Sequence, residues 1–462
     1  MDRLTIRLCP HWADDTVKDM TVISTYPASG FKQDDEKPSL EYPDDAFGGL
    51  CPFPEWSELA ITDDNGELPY ELKDSAGLSP AAKWRGIWFK REPEGTVNWK
   101  VTLLPRVLPE GYVSSPYYDF RAEPFGLNGS GMFTFILPSI GIGHKMLVDL
   151  DWDLTDMPGG ARGIWSYGEG HLERELDQWE TMLTLYNTGV MQSVESDCFG
   201  VYWFSEPDFD VRSIAEKALP IYLYEREFFG DDESFFRVFI RRDPFEKSEG
   251  GSACPYAFIS GYSAFGNTDA DNLFRNLIHE MTHTWPAMVD FNVGEGTWFT
   301  EGATEYYSTL VPYWGGFLDA EFTADSLNDK ITRRYLDNVH RELPNDQIPA
   351  IQWQDRRAQT VPYGRGFYYL ANLEAKLKRL GKGSIDEIVK KHNQLDPITP
   401  DEWKEFVYEK LGDEGVKEFE DMKAGIVAEP EPDMFGPEII TLTHTVEIDG
   451  KEVKSWHWEA VK

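Results

Sequence analysis

The hydrophobic pattern of this chain changes period part-way along, and that change limits the fold more than any other feature. In "TVNWKVTLL" the apolar residues Val97, Trp99, Val101 and Leu103 recur at every second position. "KMLVDLDWDL" repeats the pattern with Met146, Val148, Leu150 and Trp152, leaving Asp149, Asp151 and Asp153 on the other side. Period two is the signature of strands with one buried face. The start, "MDRLTIRLCPHW", alternates in the same way through Leu4, Ile6 and Leu8, as a strand does and a signal peptide does not. Gly-, Pro- and Asp-rich stretches such as "FKQDDEKPSLEYPDDAFGG" separate these segments as turns and loops. Strands without intervening helical periods predict an antiparallel β-sandwich over residues 1–185.

From residue 186 onward the pattern mixes. "FGVYWFSE" and "FFRVFIRRDP" read as strands, and "SIAEKALPIYLYEREFFG" between them reads as a helix in spite of Pro220. After residue 270 helical periods dominate. A Pro- and Glu-rich linker, "AEPEPDMFGPE", then leads to "THTVEIDGKEVKSWHW", where Asp-Gly between alternating runs predicts a hairpin. A chain of 462 residues exceeds one ordinary core. The expected organisation is multidomain α+β: the sandwich over 1–185, a second domain over 186–385, and a helical region with linker and C-terminal hairpin over 386–462.

A hydrophobic fraction of 41% describes a core-forming protein, and no run of about 18 apolar residues is present to span a membrane. The net charge of −37 repels phosphate backbones and anionic lipid, so neither nucleic acid nor membrane is expected as a partner. Solubility is the plain reading of that charge, and attraction of cationic substrates the sharper one. Cys9, Cys51, Cys198 and Cys254 are scattered without a CxxC pair, so reduced thiols and a cytoplasmic location are the expectation. Oligomeric state is left open.

Chemistry concentrates in "NLIHEMTHTWPAMVDFNVGEGTWFTEGATEYYS". His279 and His283 enclose Glu280 in an HExxH pattern, which on a helix puts both imidazoles on one face within reach of one metal ion. Glu280 is placed to take a proton from metal-activated water. The helix itself is credible: Thr268 or Asp269 can cap it, Phe274, Leu277, Ile278, Met281 and Trp285 form an apolar stripe, and Pro286 ends or kinks it. The pentapeptide alone occurs often by chance, and two core histidines are its bland alternative. Zinc needs a third protein ligand and an open position. Glu301, 18 positions after His283 at the start of an aromatic-rich helix, is the candidate. Glu305 shares its face, either as a carboxylate that orients a ligand imidazole or as a solvated charge. A tyrosine hydroxyl would suit the oxyanion of acyl transfer, but among 21 tyrosines spacing cannot choose one.

"HEMTHTW" with "WFTEGATEYY" resembles the glycyl aminopeptidase family of the gluzincin zinc metallopeptidases, with its HExxHTW and W-F-S-E-G-x-T-x-Y-Y motifs. "VPYGRGFYYLANLEAKLKRLGKGSIDEIV" is similar to that family's Y-x-K-G helix and the segment after it, and "DWDLTDMPGGARGIWSYGEG" resembles the close of its N-terminal β domain. The resemblance covers most of residues 145–410. It implies a thermolysin-like catalytic domain in which His279, His283 and Glu301 bind Zn2+ and Glu280 is the general base. Tyr363 of "YGRG" then stabilises the oxyanion, with Tyr368 and Tyr369 as alternates, and the partner is a peptide or protein substrate. Arg365 stands where the family has lysine. A second departure concerns the upstream Gly-Gly/Ala-x-Glu segment, whose glutamate holds the substrate's free amine. Gly250 and Gly251 are present, but Ala253 takes the glutamate's place, with Glu249 as a substitute on the other side. The strand in "PYAFISGY" is expected to pair with an extended peptide.

The leading expectation is therefore a zinc-dependent aminopeptidase. Its alternatives are a zinc endopeptidase or other zinc hydrolase without free-amine recognition, and a non-enzymatic peptide-binding protein that keeps the metal site. A carbohydrate-binding role for the 16 tryptophans competes with ordinary core packing.

Overall fold

The period-two segments pair into sheets. In this computed structural model, which describes residues 1–461 except 32–35, 47–48, 51–58, 81, 109–116, 245, 247–249, 267, 290–293 and 395, the chain forms two compact units. One comprises Met1–Lys217 and Phe235–Phe274, the other Ala218–Ser234 and Arg275–Lys462.

In the first unit a seven-stranded sheet runs in spatial order Leu172–Leu176, Met146–Trp152, Arg3–Ala13, Thr16–Pro27, Thr96–Leu103, Ala60–Asp63 and Gly66–Glu67. Leu4, Ile6, Leu8, Met146, Val148 and Leu150 are fully buried. On the outward side Arg3 pairs with Asp149 at 2.6 Å and Arg7 with Asp153 at 2.8 Å. Exposed pairs of this kind contribute little, so the apolar face supplies the stability. Neighbours are antiparallel except Arg3–Ala13 and Met146–Trp152, which run parallel with Leu4 opposite Val148. The fully antiparallel layer expected from the pattern fails at this pairing, because alternation records which side is buried and is blind to strand direction. A second sheet of Leu137–Pro138, Leu40–Ala46, Ala82–Phe89 and Tyr70–Ser75 adds Leu40, Tyr42, Trp84 and Ile87 to the core that holds Leu4, Val22 and Trp99. A mixed sheet follows, ordered Gln192–Glu195, Phe199–Trp203, Phe236–Asp243, Ala257–Ser263, Gly251–Cys254, with its three central strands parallel.

Among the described residues the α-helices are, in chain order, α1 (Gln178–Met182), α2 (Val211–Phe229, with Pro220 inside), α3 (Ala270–Thr282), α4 (Thr297–Trp314) and α5 (Ala320–Leu327). They continue as α6 (Ile348–Ile351), α7 (Arg356–Leu380), α8 (Asp386–Val389), α9 (Pro400–Leu411) and α10 (Asp413–Lys423). A π-helical segment, Asn328–Leu336, follows α5 directly. The strands Ile439–Ile448 and Lys451–Ala460 form a hairpin, closed by Asp449 and Gly450 at φ of 50° and 75° as a tight primed turn requires. No described helix is long and apolar enough to cross a membrane.

In the second unit α4 and α7 cross with their backbones in contact. A Cβ on Gly302 would lie 2.5 Å from the Cα of Gly366, and one on Gly366 would overlap the Trp298 carbonyl oxygen. Around the crossing α4 is buried on nearly every side, through Trp298, Phe299, Ala303, Tyr306, Tyr307 and Leu310. Two residues earlier Gly364 lets α7 approach the π-helix, where a Cβ would come within 2.6 Å of the Lys330 carbonyl oxygen. Gly366→Ala is therefore expected to destabilise this unit by about 1–3 kcal/mol, as overpacking does. Denaturation followed by helical circular dichroism measures it, and Gly159→Ala, with nothing within 4 Å of its Cβ position, is the neutral control.

Candidate metal centre

α3 begins on Asp269, whose Oδ1 accepts from the backbone N–H of Asp271 at 3.0 Å and of Asn272 at 3.1 Å. Thr268 accepts from the Ser263 N–H instead. Phe274, Leu277, Ile278, Met281 and Trp285 are buried, so the apolar stripe faces inward. The helix closes at Thr282, before Pro286 is reached, through tighter bonds from Thr284 N–H to the Met281 carbonyl and from Trp285 N–H to the Thr282 carbonyl. His283 thus sits just past the last helical residue, and its N–H still bonds the His279 carbonyl at 3.3 Å. Both rings stay on one face.

The Nε2 atoms of His279 and His283 lie 3.1 Å apart, and Glu301 Oε2, from the first turn of α4, lies 3.3 Å from each. The other nitrogen of His283 has a hydrogen-bond partner, and that of His279 has a carboxylate at ion-pair distance. His283 Nδ1 is 3.1 Å from Thr304 Oγ1, and that hydroxyl gives its proton to the Thr300 carbonyl at 2.7 Å. Having given its proton, the threonine can only accept, so His283 carries its hydrogen on Nδ1. His279 Nδ1 faces Glu305 Oε2 at 3.4 Å, and a carboxylate imposes the same tautomer. With the rings neutral, two Nε2 lone pairs and a carboxylate oxygen converge, and such a triangle calls for a cation, a proton or a metal ion. Ligand bonds of about 2.0–2.1 Å around tetrahedral zinc separate neighbouring donor atoms by about 3.3 Å, which matches the triangle.

The electrostatics point the same way. Burial disfavours an imidazolium at His279, yet Glu305 and Glu301 outweigh it and hold the ring up to about 10. Burial also pushes Glu301 upward, but His283 and His279 hold it at about 2. The pocket attracts positive charge strongly. Burial raises the Glu280 carboxyl above its usual range against the pull of both histidines. Tyr363 stacks on the His279 ring with centroids 6.1 Å apart and planes 19° from parallel. Burial, with Glu301, Glu280 and Glu305 nearby, keeps its phenol well above the ordinary range and so protonated.

The other residues singled out from the sequence have definite places. Glu305 is 3% exposed and is no surface charge: Lys330 Nζ lies 2.5 Å from it and Arg334 Nη1 3.1 Å. Tyr368 donates to the Ala428 carbonyl at 2.9 Å, and Tyr369 packs among Trp298, Trp403 and Phe419, so both alternates are engaged elsewhere. Arg365 is fully buried and donates to Asn345 Oδ1 and to the carbonyls of Arg341 and Leu343. In the first unit Gly250 and Gly251 lead into the edge strand Gly251–Cys254, where Ala253 is exposed; Glu249 lies outside the described residues. The strand Ala257–Ser263, expected to receive a peptide, pairs along its length with Phe236–Asp243 and on its other side, over Ala257–Ser260, with Gly251–Cys254. The edge strand of the sheet is Gly251–Cys254, whose Ala253 carbonyl accepts from the Tyr118 hydroxyl at 2.7 Å.

Three contributors carried no mark in the sequence reading. Thr304 stands three residues after Glu301, and helical spacing was a signal that could have found it. Lys330 and Arg334 are remote in sequence and offered none. A second acidic cluster, Asp149, His171 and Glu173, is already bridged by the Arg3 guanidinium, which bonds both carboxylates. Zinc is expected to raise the unfolding temperature of the chain, by the equivalent of about 2.7 kcal/mol at a hundredfold excess over its dissociation constant. Thermal scans with and without chelator check this, and a His283→Ala chain should show no zinc-dependent shift.

No protein-family model matches the chain, and no curated protein sequence does. Solved structures resemble it in fold. A crystal structure of an aminopeptidase N family protein from Idiomarina loihiensis superposes with a TM-score of 0.67 at 12% identity, covering 95% of this chain and 79% of that one. Yeast LTA4 hydrolase in complex with bestatin gives 0.51 at 14% identity, over 93% of this chain and 68% of that one. A variant M1 zinc metallopeptidase from Deinococcus radiodurans, bound to a Tyr-Ser-Ala substrate, gives 0.50 at 14% identity, over 93% and 94%. The chain is thus multidomain α+β, with many sheets and a helical C-terminal region, in the fold these metallopeptidase structures share.

Proposed function

We propose that this chain is a zinc-dependent metallopeptidase of the gluzincin type that acts as an aminopeptidase, with His279, His283 and Glu301 as the ligands of Zn2+. The observation that carries the reading is the convergence of two Nε2 lone pairs and one carboxylate oxygen at 3.1–3.3 Å, beside Glu280 and the Tyr363 ring. Likeness in fold to a metallopeptidase bound to a tripeptide supports a peptide as substrate.

Zinc held by these ligands supplies a Lewis acid for a peptide carbonyl and for the water that attacks it. Glu280, on the helix turn that joins the two histidines, accepts the water's proton and returns it to the departing amine. Its raised carboxyl suits a group that must hold a proton briefly. Tyr363 stays protonated and donates a hydrogen bond to the oxyanion that forms on the carbonyl carbon. Thr304 accepts from His283 Nδ1, and the Glu305 carboxylate 3.4 Å from His279 Nδ1 favours a hydrogen there, so both Nε2 atoms would be available to hold the ion.

One observation favours a second reading. Ala253 occupies the position from which a glutamate would hold a free amine, and a methyl group cannot bind ammonium. An endopeptidase would have no need of that contact. N-acetylation of test peptides separates the two: an aminopeptidase loses them as substrates, and an endopeptidase still cuts them.

Glu280→Gln is expected to lower kcat by about 10²–10⁴-fold while the chain keeps its zinc. Retained hydrolysis in that variant would rule out the mechanism. Tyr363→Phe should lower kcat by about 10²–10³-fold with KM little changed, because its hydrogen bond forms only as the oxyanion does.

A further inference from the structure

Three carboxyl groups stand around two histidines, and the fully enclosed one, Glu305, is balanced from far along the chain. Lys330 Nζ meets Glu305 Oε2, and Arg334 Nη1 meets Oε1, so each oxygen has its own cation. Oε2 is also the atom that faces His279 Nδ1. Both cations come from the π-helical segment Asn328–Leu336.

The winding of that segment has a geometric consequence. With i→i+5 hydrogen bonds a turn takes between about four and five residues. Lys330 and Arg334 then fall in one row, and Asn328, Thr332 and Asp337 in another. With about 3.6 residues per turn, an α-helix would carry Asp337 about half a turn away from Asn328. The second row is bound to the C-terminal hairpin. Asn328 exchanges two hydrogen bonds with the main chain of Trp458, donating to its carbonyl at 2.8 Å and accepting from its N–H at 2.9 Å. Thr332 Oγ1 donates to the Trp456 carbonyl at 2.9 Å. Asp337 accepts from Ser455 Oγ and faces His444 Nε2 at 3.2 Å. One row holds the hairpin while the other holds Glu305.

We propose that Lys330 and Arg334 are positioning residues of the metal centre, fixed in place by the C-terminal hairpin. They turn Glu305 so that Oε2 faces His279 Nδ1, and this aims His279 Nε2 at the metal. The inference rests on the zinc reading above and extends the site to two elements, the π-helix and the hairpin, that touch neither metal nor substrate.

The test uses the full chain and reads zinc affinity by competition with a chromophoric chelator, together with the absorption spectrum of the cobalt-substituted protein. Lys330→Met is expected to weaken zinc binding about 10- to 100-fold and to alter the cobalt spectrum. Arg334→Gln and Thr332→Val should weaken it in the same direction. A Glu305→Gln/Lys330→Met chain should bind zinc no more weakly than Glu305→Gln alone, because the proposal assigns the effect to that carboxylate and not to the lysine's bonds to Thr309 and Ser308 of α4. A folded Lys330→Met chain with wild-type affinity and spectrum overturns the proposal, and so do losses that add in the double variant. Should Lys330→Met fail to fold, Arg334→Gln, whose side chain is 26% exposed, decides by the same two readouts. A wild-type chain that binds no zinc overturns the functional reading and this inference together; wild-type binding with unaffected variants overturns this inference alone.

Discussion

The candidate site depends on two helix backbones being allowed to touch. Where α4 and α7 cross, Gly302 faces Gly366, and neither residue has a positive φ. Their lack of a side chain therefore serves close approach and not turn geometry. Glu301 precedes one of these glycines by one residue and Tyr363 precedes the other by three. The contact that brings the helices together thus also delivers a carboxylate and a phenol to His279 of α3 and to His283 just beyond it. A methyl group at the crossing would move both outward, and misplacement of about 1 Å is enough to cost a catalytic site much of its rate.

The second organising force is charge out of water. Glu280, Glu301 and Glu305 share a pocket that burial makes unfavourable for every one of them as an anion. Each is answered differently. Lys330, His279 and Arg334 hold the Glu305 carboxyl well below its usual range, the histidines do the same for Glu301, and Glu280 is left with a raised one. Carboxyl groups with the same intrinsic chemistry are thereby driven apart in proton affinity.

Much of the fold was legible because burial leaves a periodic trace. The alternation of Leu4, Ile6 and Leu8, and of Met146, Val148 and Leu150, marks which side faces the core, and those residues are fully buried. Strand direction leaves no such trace, so the parallel pairing of these two segments was invisible. Pairing partners also lay beyond reach: the strand in "PYAFISGY" was expected to pair with a peptide, yet Ala257–Ser260 lies between Phe236–Asp243 and Gly251–Cys254. Asp-Gly at 449–450 was a reliable turn signal because its chemistry is local.

The same division runs through the site. Sequence by itself determined the residues whose geometry is set within one helix turn or one motif. These are His279 and His283 at four-residue spacing, Glu280 between them, and Glu301 with Glu305 and, unnoticed, Thr304 along the face of α4. Only the tertiary structure decided which of the tyrosines stands over His279, that Glu305 is buried, and that Lys330 and Arg334 meet it from a π-helix held by the C-terminal hairpin. The physical reason is range. Helical periodicity relates residues a few positions apart, whereas a buried charge takes its partner from whichever element packing brings near, and that choice is made by the whole core.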